Sequence, residues 1–179
     1  MAKLRKHVAY RTIERSYTRK SKYKKKAFVK ASPGLRIVRF NMGDQKKSFA
    51  YTINLKTKSN LQIRSNSLES ARQVSNRILE GKLGKTNYRM IIKTYPHHIL
   101  RIHSLASGAG ADRTSTGMAH AYGKPVGMAS QLKKGAIIFQ VEVDKQHLAT
   151  AVDALHKAAT KLPCACLIEP KLNVPKIKH

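Results

Sequence analysis

Charge constrains what this sequence can fold into more than any other feature. Its 179 residues carry 36 Lys and Arg against 9 Asp and Glu, a formal net charge of +27. A chain with that excess repels itself unless an anionic partner neutralises it. We therefore expect a polyanion as the main partner, because strongly basic chains are typical of nucleic-acid-binding proteins.

Length and hydrophobic content predict one folded domain. With 41% hydrophobic residues and no tryptophan, the 179 residues can build one modest core and no second large domain. No stretch approaches the roughly 18 consecutive apolar residues of a membrane span, and the first residues lack the apolar run of a signal peptide. We expect a cytoplasmic protein without a membrane partner.

Residues 1–34 are predicted to form a basic arm. Glu14 is the single acid among residues 1–30, and Tyr10, Tyr17 and Tyr23 are interleaved with the basic residues. Aromatic rings beside cations suit stacking on bases as well as pairing with phosphates, and a solvated tail is the alternative. Charge at this density predicts an extended segment without compact structure of its own. The cations predicted to bind nucleic acid are Lys3, Arg5, Lys6, Arg11, Arg15, Arg19, Lys20, Lys22, Lys24, Lys25 and Lys26.

The periodicity of residues 35–169 predicts an α+β fold. Short β-rich runs predict strands at 35–41, 49–55, 61–63, 88–95, 99–103, 136–143 and 164–168. Two helical patterns interrupt them, so we expect a two-layer sandwich, in which two helices cover one face of a mostly antiparallel sheet. Residues 170–179 lack a core-forming pattern and are predicted to form a basic tail.

Both predicted helices have an N-terminal signal. Asn66 with Glu69 resembles a capping box at the start of the first, and Asp144 is expected to cap the second. An apolar stripe marks the buried face of the second helix. Its residues Leu148, Val152 and Leu155 are expected to be buried against the sheet.

Residues 104–130 are predicted to form a long loop rich in glycine. Structureless loops beyond about 12–15 residues are uncommon in ordered domains unless they are functional or disordered. Asp112 and Arg113 are the only charged residues between Arg101 and Lys124. A smooth loop with one cation can enter a narrow space between RNA strands, whereas the alternative is a surface ion pair without functional meaning.

Glycine spacing in this loop argues against a nucleotide cofactor. Gly108-Ala-Gly110 lacks the third glycine of a dinucleotide fingerprint. Pro125 follows Gly123-Lys124 where a P-loop requires Ser or Thr. We expect no cofactor. The 9 carboxylates form no obvious acid/base pair, so nothing positive indicates an enzyme.

Histidine and cysteine spacing gives no support to a metal site. The histidines 97, 98, 103 and 120 lack the short spacing of zinc ligands, which favours contact with RNA or solvent. Cys164 and Cys166 alternate along a predicted strand, so their side chains are expected on opposite faces as small buried residues. A disulfide framework is excluded.

The loop region resembles a known family. Tyr95–His103, Gly108–Arg113, Thr116–Met118 and Gly123–Pro125 are similar, nearly residue for residue, to the most recognisable block of the universal L-sixteen family of large-ribosomal-subunit proteins, in its archaeal and eukaryotic form, L-ten-e. Ser67–Arg72 and Ala154–Pro163 resemble the two helix motifs of that family. The resemblance spans residues 35–169. The arm matches the eukaryotic pattern of the family poorly, and the short segment after Ile168 favours an archaeal-type protein.

This resemblance implies a structural, non-enzymatic protein of the large ribosomal subunit. It is expected to pack on large-subunit rRNA beside the aminoacyl-tRNA site, to contact tRNA and neighbouring ribosomal proteins, and to have no small-molecule substrate. Its loop would reach toward the peptidyl transferase centre and help to position tRNA. The loop residues so assigned are Gly108, Gly110, Asp112, Arg113, Thr116, Gly117, Met118, His120, Gly123 and Lys124. An RNA-modifying enzyme with a basic arm is the alternative, and a DNA-compacting protein is a third possibility.

Overall fold

Two antiparallel sheets and two helices make up the fold. The computed structural model describes residues 5–18, 23, 25, 29, 31–103, 108–110, 117 and 123–173. Every strand pair in these ranges is antiparallel. The α+β prediction is therefore confirmed, with the strands divided between two sheets. None of the described helices is long and apolar enough to cross a membrane.

The larger sheet has five strands in the order β1-β4-β7-β2-β8. Its strands are β1 Asn41–Gly43, β2 Tyr51–Thr57, β4 Tyr88–Ile92, β7 Ile137–Val143 and β8 Cys166–Leu172. Alternating apolar residues explain β2, where Ile53 and Leu55 are fully buried. Ile53 pairs with Val141 at the centre of the sheet, which aligns the buried positions of β2 and β7.

Two helices, α1 Ser65–Leu83 and α2 Leu148–Ala159, pack against each other and close the main core. On α2, Leu155 is fully buried as predicted. Leu148 and Val152 are only half-buried and pack at the margin of that core. The buried face of α2 is instead completed by the small side chains of Ala151, Ala154 and Ala158, which let the helix lie close to the sheet.

Neither predicted helix cap forms. Helix α1 begins at Ser65 without a side-chain cap, and the Glu69 carboxylate accepts hydrogen bonds from Arg72 at 2.8 and 2.6 Å. Burial acts to raise the pKa of Glu69, but the hydrogen bonds from Arg72 and the Val38 amide outweigh it and hold the pKa below its usual value. Asp144 makes no cap either, because its carboxylate pairs with Lys47 at 3.0 Å.

Three strands form the second sheet, in the order β3-β6-β5. They are β3 Leu61–Arg64, β5 His98–Ile102 and β6 Lys124–Leu132. The prediction of a loop through residue 130 is thus wrong for residues 124–130. Gly127, Ala129 and Ser130 are poor strand formers, but β6 is the central strand, and hydrogen bonds on both sides override that propensity.

Both ends of the five-stranded sheet differ from the sequence prediction. Residues 35–40 are irregular and the first strand starts only at Asn41, although the Phe40 carbonyl accepts the Ile92 amide hydrogen at 2.9 Å. Val38 in this segment is 73% exposed, so its apolar side chain does not join a buried strand face. At the other end, β8 continues to Leu172 and takes up residues 170–172 of the predicted tail. Pro170 is tolerated there because β8 is an edge strand. Residues 174–179 lie outside the described ranges.

Cys164 and Cys166 do not point to opposite faces. Their sulfur atoms lie 3.6 Å apart, because the strand begins only at Cys166 and its alternation does not extend back to Cys164. Both are free thiols and half-buried. The hydrogen bond between them lowers the pKa of the Cys164 thiol and raises that of Cys166.

Candidate nucleic-acid interface

The first part of the basic arm is folded onto the three-stranded sheet. Residues 7–10 form a short 3-10 helix, and Tyr10, 8% exposed, packs in a small apolar cluster with Leu100 and Ala129. These two partners come from β5 and β6. This apolar contact holds residues 5–18 against the sheet, and the expectation that the arm has no compact structure of its own stays a prediction.

Side chains of all three strands hold the backbone of the arm. From β3, the Gln62 side-chain amide donates to the Thr12 carbonyl at 3.0 Å. From β6, the Gln131 amide donates to the Glu14 carbonyl at 2.8 Å. From β5, His98 Nδ1 accepts the Tyr17 amide hydrogen at 2.8 Å. These hydrogen bonds fix the path of the arm across the sheet.

The described arm cations are accessible to solvent. Arg5, Lys6, Arg11 and Arg15 are exposed, and Lys25 is exposed further along the chain. Among the described residues no ion pair joins these five to an acid. The other predicted arm cations, Lys3, Arg19, Lys20, Lys22, Lys24 and Lys26, lie outside the described ranges.

Acidic side chains are concentrated on the five-stranded sheet and its helices, away from the arm. Within the described ranges six ion pairs form, and each lies on the five-stranded sheet, its helices or the adjoining turns. They join Lys47 to Asp144, Lys56 to Glu169, Arg72 to Glu69, Lys82 to Asp153, Lys85 to Glu80 and Arg89 to Glu142. The charge of the five-stranded sheet and its helices is thus partly compensated, whereas the five described arm cations remain available to an anionic partner.

The glycine-rich segment leaves and rejoins the three-stranded sheet at a tight stem. Ile102, the last residue of β5, pairs with Lys124, the first of β6. Gly123 has φ +92°, and a Cβ there would lie 3.1 Å from the Ile102 carbonyl. Only glycine fits this approach without strain. Lys124 is exposed, but it belongs to a strand and not to the predicted loop.

Part of the predicted loop site can be located. Gly108 and Gly110 are exposed, and Gly117 is half-buried. The remaining residues of that prediction, Asp112, Arg113, Thr116, Met118 and His120, lie outside the described ranges. Their expected contact with tRNA therefore stays a prediction.

Arm, sheet and loop meet at a cavity of about 270 Å³. Its lining includes Arg5 and Tyr10 from the arm, Gln62 and His98 from the sheet, and Gly117 from the loop. The structure thus brings together one residue predicted for RNA binding by the arm, Arg5, and one predicted for the tRNA-proximal loop, Gly117.

His98 lies beside this cavity and is not a surface residue. It is 8% exposed, and burial lowers the pKa of its imidazole, with Arg101 also lowering it and Glu14 raising it. Because Nδ1 accepts the Tyr17 amide hydrogen, the neutral ring carries its proton on Nε2. The sequence-based expectation of contact with solvent or RNA missed this anchoring role, because nothing in the sequence pairs His98 with Tyr17.

The sequence also did not predict that Gln62 and Gln131 would hold the arm. They face each other in the β3–β6 register, and each holds one arm carbonyl. Their one sequence signal is a polar residue among strand-forming neighbours. Within the part of the chain that the structure describes, no group of three or more His, Cys, Asp or Glu side chains could hold a metal ion.

Comparison with known proteins identifies relatives over most of the chain. The family described as ribosomal protein L16p/L10e matches residues 18–169. The large ribosomal subunit protein uL16 of Archaeoglobus fulgidus is 42% identical over 154 residues, which cover 86% of this chain and 85% of that protein. Its counterpart in Methanococcus maripaludis is 42% identical over 160 residues, covering 89% of each chain. That of Halorubrum lacusprofundi is 40% identical over 163 residues, with the same 89% coverage.

Proposed function

The chain belongs to the ribosomal protein L16p/L10e family, and from this premise we propose that it binds large-subunit rRNA through its arm and three-stranded sheet and helps to position tRNA through the loop between β5 and β6. The matched relatives are archaeal proteins of the large ribosomal subunit, and the family is one of structural ribosomal proteins and not of enzymes. Its place is the large ribosomal subunit in the cytoplasm, where rRNA and neighbouring ribosomal proteins surround it.

One observation carries the rRNA part of this proposal: the arm is fixed across a sheet, while its described cations are exposed and form no ion pair with an acid among the described residues. Arg5, Lys6, Arg11 and Arg15 extend from a backbone that three strands hold. Phosphate neutralisation by such cations supplies most sequence-independent affinity for nucleic acid. Because the backbone is already ordered, binding does not have to overcome the entropy of fixing it.

Support for the tRNA part comes from the stem of the loop. The Ile102–Lys124 pair and the close approach of Gly123 fix the direction in which the segment leaves the sheet. Exposed Gly108 and Gly110 allow backbone amides to approach phosphate closely. Arg113 is the cation proposed to meet tRNA or rRNA phosphates at this loop, consistent with the family resemblance of residues 108–113.

Sedimentation tests the rRNA part directly. The full-length protein is mixed with large-subunit rRNA, with and without excess duplex DNA, and sedimented through gradients of increasing salt. We expect the protein to migrate with rRNA through moderate salt and to remain bound in the presence of DNA. Complete transfer to DNA would contradict the proposal and favour the DNA-compacting alternative. Turnover of a modified nucleoside by the purified protein would instead favour the enzyme alternative.

A further inference from the structure

We propose that the cavity between the arm and the three-stranded sheet binds one unpaired RNA nucleotide, with its base inside and its phosphate at Arg5. This inference rests on the proposed function, because the nucleotide would belong to the rRNA that the protein binds. It adds a specific pocket to a surface that otherwise recognises phosphates. Unstacked bases of single-stranded RNA segments are the elements that proteins commonly take into such pockets.

An unsatisfied buried oxygen is the first argument for a ligand. Gln62 is 3% exposed and lines the cavity. Its Nε2 donates to the Thr12 carbonyl, which fixes the orientation of the amide, and its Oε1 has no hydrogen-bond partner among the described residues. Buried acceptors without a partner are rare and costly in folded proteins. The oxygen is closed to solvent, so a ligand N–H group at the cavity would satisfy it by drawing the Gln62 side chain toward the cavity.

His98 supplies the complementary donor. Its Nδ1 is occupied by the Tyr17 amide, so the Nε2–H of the neutral ring is left for a ligand at the cavity that His98 lines. Burial lowers the pKa of this histidine and so favours its neutral form. A fixed N–H donor at the cavity suits the edge of a nucleobase, since each RNA base presents at least one hydrogen-bond acceptor.

The remaining lining favours a nucleotide over a free anion. Tyr10 offers part of an aromatic ring, and the Arg101 guanidinium, which also lines the cavity, lies 3.9 Å from the centre of the Tyr17 ring. Arg5 supplies an exposed cation for the phosphate. Glu14 lines the same cavity and would repel an inorganic phosphate, whereas its carboxylate can accept a hydrogen bond from a ribose hydroxyl.

Size also limits the ligand. The cavity measures about 270 Å³, slightly below the range of about 300–1,000 Å³ that holds drug-sized ligands. A single base fits that scale. The cavity is therefore suited to one nucleotide that has left its helix.

Gln62→Leu tests the proposal, with Gln131→Leu as its matched control. The two glutamines are paired in the β3–β6 register and each donates one hydrogen bond to an arm carbonyl, but only Gln62 lines the cavity. Large subunits carrying each variant are probed with dimethyl sulfate and with a carbodiimide, which report accessible base edges. We expect Gln62→Leu subunits to lose protection of one rRNA base that both wild-type and Gln131→Leu subunits protect.

Several results would overturn the proposal. Identical probing patterns for the two variants would contradict nucleotide binding in the cavity and would leave the proposed rRNA-binding role unaffected. If Gln62→Leu protein does not enter subunits, ultraviolet cross-linking of wild-type subunits tests the pocket instead. The proposal requires a nucleotide adduct on the peptides that contain Tyr10 or His98, and its absence would overturn the proposal. A cross-link from these peptides to a neighbouring protein would assign the cavity to that protein. Absence of wild-type protein from large subunits would instead contradict the proposed function itself.

Discussion

Removal of two arm cations should weaken the salt dependence of rRNA binding by a calculable amount. Arg11 and Arg15 are exposed, lie on the anchored part of the arm and form no ion pair within the described ranges. Each lost phosphate contact removes about 0.7 to 0.9 from the slope of log affinity against log salt concentration. The double variant Arg11→Gln, Arg15→Gln should therefore reduce the slope by about 1.4 to 1.8 if both residues contact phosphate.

The assay is equilibrium binding of the full-length protein to large-subunit rRNA between about 50 and 200 mM salt, the range in which phosphate contacts dominate. A matched control is Lys157→Gln with Lys161→Gln, which removes the same charge from two exposed lysines, one in α2 and one just after it. Unfolding of each variant, followed by circular dichroism, establishes that the fold is retained. Because the controls lie away from the arm, we expect their slope to equal that of the wild type.

Two results would refute this reasoning. An unchanged slope in the arm variant would mean that Arg11 and Arg15 do not contact phosphate. Equal reductions in the arm variant and the lysine control would mean that net charge alone sets the affinity. In either case the fixed position of the arm would have no role in binding.

Three further predictions concern the core, the loop and the arm anchor. Leu155→Ala should destabilise the fold by about 2 to 5 kcal/mol, because the side chain is fully buried. Leu172→Ala, at a residue 55% exposed, should cost much less in the same denaturant titration, and equal losses would contradict the core assignment. Arg113→Ala should change stability by no more than about 0.5 kcal/mol and slow tRNA accommodation, whereas normal tRNA binding and peptide synthesis would argue against a functional loop. Neutral His98 accepts the Tyr17 amide hydrogen, and burial lowers the pKa of its imidazole. Docking of the arm on the sheet should therefore be complete above the ordinary histidine pKa of 6.5. It should weaken as the pH falls below that value, because protonation of His98 removes the acceptor. The Tyr17 amide resonance should then move toward its random-coil position, and a resonance that stays fixed while His98 protonates would disprove the link.

Local patterns predicted the elements whose stability is local. The alternation around Ile53 and Leu55 identified β2, and the apolar stripe of α2 identified Leu155 as a core residue, because burial on one face produces a visible period. The same reasoning failed for β6. Its residues Gly127 and Ala129 have weak strand propensity, and the strand exists because β3 and β5 pair with it on both sides.

The predictions of the helix caps and of the cysteine side-chain directions were wrong for a related reason: contacts that are distant in sequence override the local pattern. Glu69 fits a capping motif in sequence, but its carboxylate accepts hydrogen bonds from Arg72 and from the distant Val38 amide instead. Asp144 likewise pairs with Lys47, far away along the chain. Such competition between local and tertiary partners is decided by packing, which a sequence pattern does not contain.

The candidate site was predictable in its charge and not in its shape. The density of cations identified the arm, because net charge is a sum over residues and needs no geometry. The cavity depends on the positions of Tyr10, Gln62 and His98, which come together only when β3 and β5 flank β6 and the arm crosses all three strands. Nothing in the spacing of these residues indicates that they meet.

Electron cryomicroscopy of the large ribosomal subunit that contains this chain tests the central claim most directly. The account predicts rRNA phosphates against Arg5, Arg11 and Arg15, a single unstacked nucleotide in the cavity beside Gln62, and the loop between β5 and β6 directed toward the acceptor end of bound tRNA. The five-stranded sheet and its helices, with six ion pairs among described residues, should contribute fewer phosphate contacts than the arm. A map in which the arm and the three-stranded sheet face solvent while the helices lie on rRNA would contradict the account.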